Sequence, residues 1–143
     1  MTFDIKKYRA MESAPIELVD GEANPIYNEQ GDPMSVTVFG PGSKIWQQAE
    51  AEMRRRKVSR IDKARGKLTA AVDNDREDAI EFLVRITVSL NGWTYPHPEG
   101  GQWPAAAEMY RALYSDDEVG FIRDHLYREA RDWGNFTKAS AKN

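Results

Sequence analysis

A chain of 143 residues, 41% of them hydrophobic, is long enough to build one domain around a real core. Its charged residues, 30% of the total, balance to a net charge of only −3, which argues against a general nucleic-acid binder or a membrane-surface protein. The absence of cysteine excludes a disulfide scaffold, a thiolate metal site and a cysteine nucleophile, and it fits a reducing compartment.

No apolar run approaches the roughly 20 residues that a helix needs to cross a bilayer. Met1 to Ala10 carries Asp4 among its lysines and has no apolar stretch, so it does not read as a secretory signal. Residues 1–15 read as a flexible arm ending at Pro15. Met34, Val36 and Val38 alternate with polar residues up to Phe39, the period of a half-buried strand. Ile16 to Val19 is its expected partner, in a small N-terminal hairpin with an unusually long loop. Gly40-Pro41-Gly42 stops the strand, and Ser43 is placed to cap a helix. Lys44 to Lys63 contains neither Pro nor Gly and is rich in Ala, Glu, Gln, Arg and Met, with an apolar stripe at Ile45, Trp46, Ala49 and Met53.

A second helix is expected from Asp75 or Asp78 to Asn91-Gly92. Ala79, Ile80, Leu83, Val84, Thr87 and Val88 fall on one side and Phe82, Ile86 and Leu90 on the other, so it should be buried nearly all round. Its β-branched residues also allow a strand, but its length favours helix. Residues 91–104 hold two closely spaced prolines and two adjacent glycines, which preclude a regular element. Trp93, Tyr95 and Trp103 make this an aromatic loop tied to the core. Pro104 suits the first turn of a third helix, with Ala106, Met109, Tyr110, Leu113 and Tyr114 on one face. Ser115 and Glu118 read as a capping box for a fourth, carrying Val119, Ile122, Leu126, Ala130 and Trp133. Gly134 should end that helix, with Phe136 in the hydrophobic contact that accompanies such stops. Residues 138–143 read as a disordered tail. The expected fold is mainly α within the α+β class: about four helices and a small N-terminal β-hairpin, forming one domain over 16–137.

Few residues in the sequence carry the pattern of a reactive site. His97 and His125 are the only histidines, too few for a zinc site without other convergent ligands. Gly40-Pro41-Gly42-Ser43-Lys44 is too short for a phosphate loop, and its proline lacks the N–H such a loop needs. Asp116-Asp117-Glu118 is explained by capping. The sequence therefore points to no catalytic residue, no cofactor and no metal. The segment from Met53 to Lys67 stands apart: Arg54, Arg55, Arg56, Lys57, Arg60, Lys63, Arg65 and Lys67 face a single acid, Asp62. Such asymmetry suits an acidic protein surface, nucleic acid or plain solvation of a helix end. It lacks the interleaved aromatics and the accompanying fold of a nucleic-acid binder. Tryptophan, tyrosine and arginine are enriched at interface hot spots. The candidate partner-binding residues are accordingly Trp46, Arg54, Arg55, Arg56, Trp93, Tyr95, Trp103, Trp133 and Phe136.

Two stretches, MSVTVFGPGSKIWQQAEAEMRRRK and LNGWTYPHPEGGQWPAAAEMYRALYSDDEVGFIRDHLYREARDWGNF, resemble the tail assembly chaperones of long-tailed bacteriophages. That family has a strand of the form Val-x-Val-x-Gly-x-x-Ser entering an arginine-bearing helix. A tryptophan near Gly and Pro comes later, then an acidic helix start and a final Asn-Phe. The matching positions are Val36, Val38, Gly40, Ser43, Trp93, Gly100, Gly101, Pro104, Asp116, Asn135 and Phe136. The sequence departs from the pattern in placing Trp103 before Pro104, and the N-terminal arm has no counterpart. The resemblance spans residues 15–137. It implies a small, non-enzymatic helical protein that binds the tape-measure protein and tail-tube subunits, self-associates, works in the host cytoplasm and is absent from the mature virion. Two other readings stay open: a small nucleic-acid-binding regulator using the basic helix 54–67, and a phage head–tail structural subunit.

Overall fold

The computed structural model describes residues 4–63 and 74–141, with side chains to Thr137. Arg65 and Lys67 of the basic segment, and the last two residues of the tail, lie outside the described residues.

The alternation of Met34 to Phe39 produces strand β2 (Ser35–Phe39), whose Val36 and Val38 are fully buried. Its partner β1 is Ser13–Glu17, beginning three residues before the expected Ile16–Val19 and ending two residues before that segment ends. The reason is the face that must be covered: Ala14 pairs with Val38 and Ile16 with Val36, so both small apolar side chains lie inward. Pro15 is accommodated because the flanking ladder bonds, Gly40 N–H to the Glu12 carbonyl and Leu18 N–H to the Met34 carbonyl, turn its nitrogen to the open edge. The arm is thus shorter than 1–15. It contains a short 3₁₀ turn at Ile5–Tyr8 and is fastened by the Met11 N–H to the Phe136 carbonyl.

The long β1–β2 loop is itself ordered. Ile26 N–H bonds to Leu18 and Met34 N–H bonds to Ile26, knitting a short middle segment between the two strands. Asp20 closes one turn by accepting from Glu22 N–H and Asn24 N–H, which also holds its carboxyl below the usual range. Asn28 closes the next, accepting from Gln30 and Asp32 N–H and donating to the Gly92 carbonyl at 3.0 Å.

Ser43 caps helix α1 (Lys44–Lys63) as its residue type requires: its hydroxyl accepts Trp46 N–H at 3.1 Å and donates to the Gly40 carbonyl. Helix α2 starts at Asp75, the earlier of the two expected positions, but ends at Ile86 rather than at Asn91. Thr87–Asn91 is a third strand, β3, antiparallel to β2 in a sheet of order β1-β2-β3. The sheet is therefore not confined to the N-terminal part of the chain. Its β-branched residues permitted either state, and the pairing of Leu90 with Val36 decided it. On the outer face, Asn91 donates to Ser35 Oγ and Thr37 Oγ1, fixing the register with a polar ladder.

Helix α3 covers Ala106–Ser115, so Pro104 lies before its N-cap, Ala105, rather than in its first turn. Ser115 is the last residue of α3 and does not cap the next turn. Asp116 does: its carboxylate accepts Glu118 N–H, opening a 3₁₀ turn at Asp117–Val119 that leads into α4 (Gly120–Glu129). The acidic cluster is a helix start, but one position later than the capping box predicted. Gly134 does not terminate a helix either. It begins α5 (Gly134–Ala141), so the tail expected over 138–143 is helical up to Ala141. Among the described residues this makes five α-helices and three strands, an α+β fold with helix predominant. Helix α2 is the centre of the helical layer, packed on α1, α3 and α4, while α5 covers β1.

Tyr114 shows how the helix-to-strand switch is fastened. Thr87 Oγ1 donates to the Leu83 carbonyl and accepts from the Tyr114 hydroxyl at 2.7 Å. Burial pushes the Tyr114 phenol far above its ordinary 10.0. The folded state thus favours the neutral phenol, so its contribution is complete below the unfolded-state pKa and declines as pH rises from there towards the folded value. Alkaline titration followed by circular dichroism should show loss of stability above pH 10.0. Tyr114→Phe should make that loss shallower, at a cost of about 1 kcal/mol at neutral pH.

Candidate functional site

The nine candidate residues do not converge on one surface. Trp46 is a clamp between α1 and α4. Its indole N–H donates to the Ala130 carbonyl at 3.0 Å, and its ring meets Phe82 edge-on at 5.5 Å. Phe82 in turn meets Tyr127 edge-on, and the Arg131 guanidinium lies over both Trp46 and Tyr127 while pairing with Glu50 at 2.7 Å. Phe136 is fully buried, its ring against Gly40. It cannot touch a partner, and its assignment to a binding surface is corrected: the C-terminal helix uses it as an anchor.

The aromatic loop is tied down as its composition suggested. Trp93 Nε1 donates to the Ser35 carbonyl, Trp103 Nε1 to the Tyr95 carbonyl, and the Tyr95 hydroxyl to Asp116 at 2.7 Å. That carboxylate raises the Tyr95 pKa, chiefly through this bond. Tyr95 and Trp103 stack with centroids 6.2 Å apart, and the His97 ring lies 4.4 Å from Trp103. Each polar handle is turned inward, leaving ring edges half-buried at the surface. His125 is likewise spoken for: it is buried, and its Nε2 is 2.9 Å from the Glu17 carbonyl.

The basic helix splits into two groups. Arg56 and Arg60 both reach Asp78, a carboxylate buried in the first turn of α2, and Lys57 reaches Asp75 at 3.6 Å. Further along, Arg85 pairs with Glu52, and Arg111 grips Glu81 through two bonds of 2.8 and 2.9 Å. Each of these arginines holds its carboxylate below the usual range. Much of the cationic charge is therefore spent within the chain, joining α1 and α3 to α2. Arg56 is an internal tie as well as a candidate contact, whereas Arg54 and Arg55 point outward. With Val58, Ser59 and Asp62 they line, among the described residues, an open groove of about 530 Å³. Val58 is 58% exposed, and Ile61 one turn away is also exposed.

Sequence reasoning missed Asp78, although the signal was present: it shares a face at four-residue spacing with Phe82 and Ile86, both buried. It also missed Val58 and Ile61, apolar residues inside a charged helix segment, and the exposed apolar residues Ile5, Tyr8 and Met11 of the arm. Trp133 is the one candidate tryptophan that is largely exposed, at 54%.

Among the described residues no group of three or more acidic or imidazole side chains is placed to hold a metal ion, and no helix is long and apolar enough to cross a membrane. No family model, curated protein or solved structure matches the chain.

Proposed function

We propose that this protein is a tail assembly chaperone, a non-catalytic binder that holds a tape-measure protein and tail-tube subunits in the host cytoplasm and is left out of the mature virion. The observation that supports this reading is the outer face of the second half of α1. There, exposed Val58 and Ile61 sit beside Arg54 and Arg55, the two arginines of the run Arg54–Arg56 not drawn into the contact with Asp78. Apolar side chains flanked by cations suit the apolar stripe and acidic flanks of a long amphipathic helix, which would aggregate if left bare. A nucleic-acid role for the same helix is less well supported, because Arg56, Lys57 and Arg60 are held by carboxylates of α2.

Co-expression with the phage tape-measure protein tests this. The wild-type chain should carry that protein into the soluble fraction. The triple variant Arg54→Glu, Arg55→Glu, Val58→Asp should fold normally, because none of the three is buried, yet lower the soluble yield by about tenfold, the loss expected from one hot-spot cluster. A tape-measure protein that stays insoluble with the wild-type chain would refute the reading.

A further inference from the structure

We propose that the groove along α1 is a two-ended site, selecting a partner helix that carries an acid at one end of the contact and a cation at the other. It rests on α1 being the partner-binding face, and it gives Asp62 a part in choosing the partner.

Arg54, Arg55, Val58, Ser59 and Asp62, which line the groove, share one face of α1 over about two turns, or about 12 Å. An open groove lined in this way by a single helix is met by the stripe of a second helix, whose side chains recur at three and four residues.

The face is not uniform along its length. Both cations stand in its first turn. Arg55 has no carboxylate partner among the described residues, and Arg54 reaches Glu50 only at 4.0 Å, while Arg131 holds that carboxylate at 2.7 Å. Val58 in the middle and Ile61 at the margin are exposed apolar side chains. Asp62 closes the far end, exposed and with no cation paired to it among the described residues. The other cations of the segment face elsewhere: Arg56, Lys57 and Arg60 reach carboxylates of α2, and Lys63 lies about 100° round the helix from Asp62.

A uniformly acidic helix would be attracted at one end of this face and repelled at the other. Opposite charges two turns apart, with apolar residues between them, satisfy both ends and cover Val58. Such a helix can lie in either direction, so the face selects the separation and sign of the charges rather than the polarity of the chain.

The test uses the full chain and three fluorescein-labelled, alanine-rich helical peptides of about 20 residues. Each carries two leucines for the groove, and they differ only in the two charges that flank the leucines: Glu with Lys, Glu with Glu, or Lys with Lys. By fluorescence anisotropy at about 50 mM salt, the wild-type chain should bind the Glu/Lys peptide about fivefold more tightly than either of the others. Asp62→Lys should reverse the preference in favour of the Glu/Glu peptide. Adding Arg54→Glu and Arg55→Glu to Asp62→Lys should restore the preference for Glu/Lys, with the peptide turned end for end. All three positions are exposed, so circular dichroism should be unchanged. Failure of the peptides to bind, equal affinity for all three, or a preference that Asp62→Lys leaves unaltered would overturn the proposal. A wild-type chain that sediments as a dimer dispersed by Arg55→Glu would overturn it too, because a second copy would then fill the groove. Solubilisation of the tape-measure protein is read separately. If it occurs while the peptides go undistinguished, this inference fails and the chaperone reading stands; if the peptides are distinguished while that protein stays insoluble, the reverse holds.

Discussion

Replacing Gly40 by alanine should destabilise the protein by about 3 kcal/mol, although it adds a single methyl group. A Cβ at position 40 would stand 2.6 Å from both Cγ and Cε1 of Phe136 and closer still to Cδ1. Neither side can yield easily. The Gly40 backbone is held by its N–H to the Glu12 carbonyl, by the Ser43 N–H donating to the Gly40 carbonyl and by the Ser43 hydroxyl donating to the same oxygen. Phe136 is fully buried, and its carbonyl accepts Met11 N–H. Phe136→Ala should cost about 3–5 kcal/mol by leaving a cavity under α5. The two changes should not add: with the ring gone, the methyl group introduced by Gly40→Ala has room, and the double variant should be more stable than the sum of the singles by about 1–3 kcal/mol. Urea unfolding of the four proteins measures this coupling, and strict additivity would show that Phe136 does not close on Gly40.

Asp78→Asn should be nearly as damaging, at about 3 kcal/mol, because it keeps the shape of the side chain and removes only the charge. The carboxylate is 3% exposed and faces Arg60 through one oxygen and Arg56, at 3.5 Å, through the other. Its place in the first turn of α2 adds the favourable end of the helix dipole. Without it, two guanidiniums crowd a partly buried space, and among the described residues Arg60 Nε already has no hydrogen-bond partner. Asp75→Asn is the control. Its carboxylate is 61% exposed and its bond to Lys57 lies at the surface, so its loss should change stability by no more than about 0.5 kcal/mol. Equal effects at the two positions would mean that burial is not what sets the cost. Replacing Asp78 and Arg60 together by leucine and methionine should recover most of the loss, since an apolar pair of similar size carries no desolvation penalty.

These two sites mark where sequence reading ended. Gly40 was legible as a strand stop, but nothing local says that an aromatic ring some 96 positions later rests on it. Asp78 was legible as an acid suited to a helix start, and its burial depends on α1 lying across it. The candidate tryptophans divided in the same way. Their presence near element ends was plain from the sequence, but their indole N–H partners, the carbonyls of Ala130, Ser35 and Tyr95, turn Trp46, Trp93 and Trp103 into internal ties. Only Trp133 was left largely outside.

What the amino-acid order determined by itself was local. It set the start of α1 after Ser43, the alternation of β2, the irregular loop imposed by Pro96, Pro98, Gly100 and Gly101, and a start for α2 at Asp75 or Asp78, of which the fold uses Asp75. Capping bonds, ring constraints and side-chain period act within a few residues, so they can be read without knowing the fold. Tertiary structure alone decided that Thr87–Asn91 is a strand, that Gly134 begins a helix, that Phe136 is core and that Arg56 and Arg60 face inward. In each case the local preferences differ by about 1 kcal/mol or less, and a pairing or burial with a distant segment outweighs them.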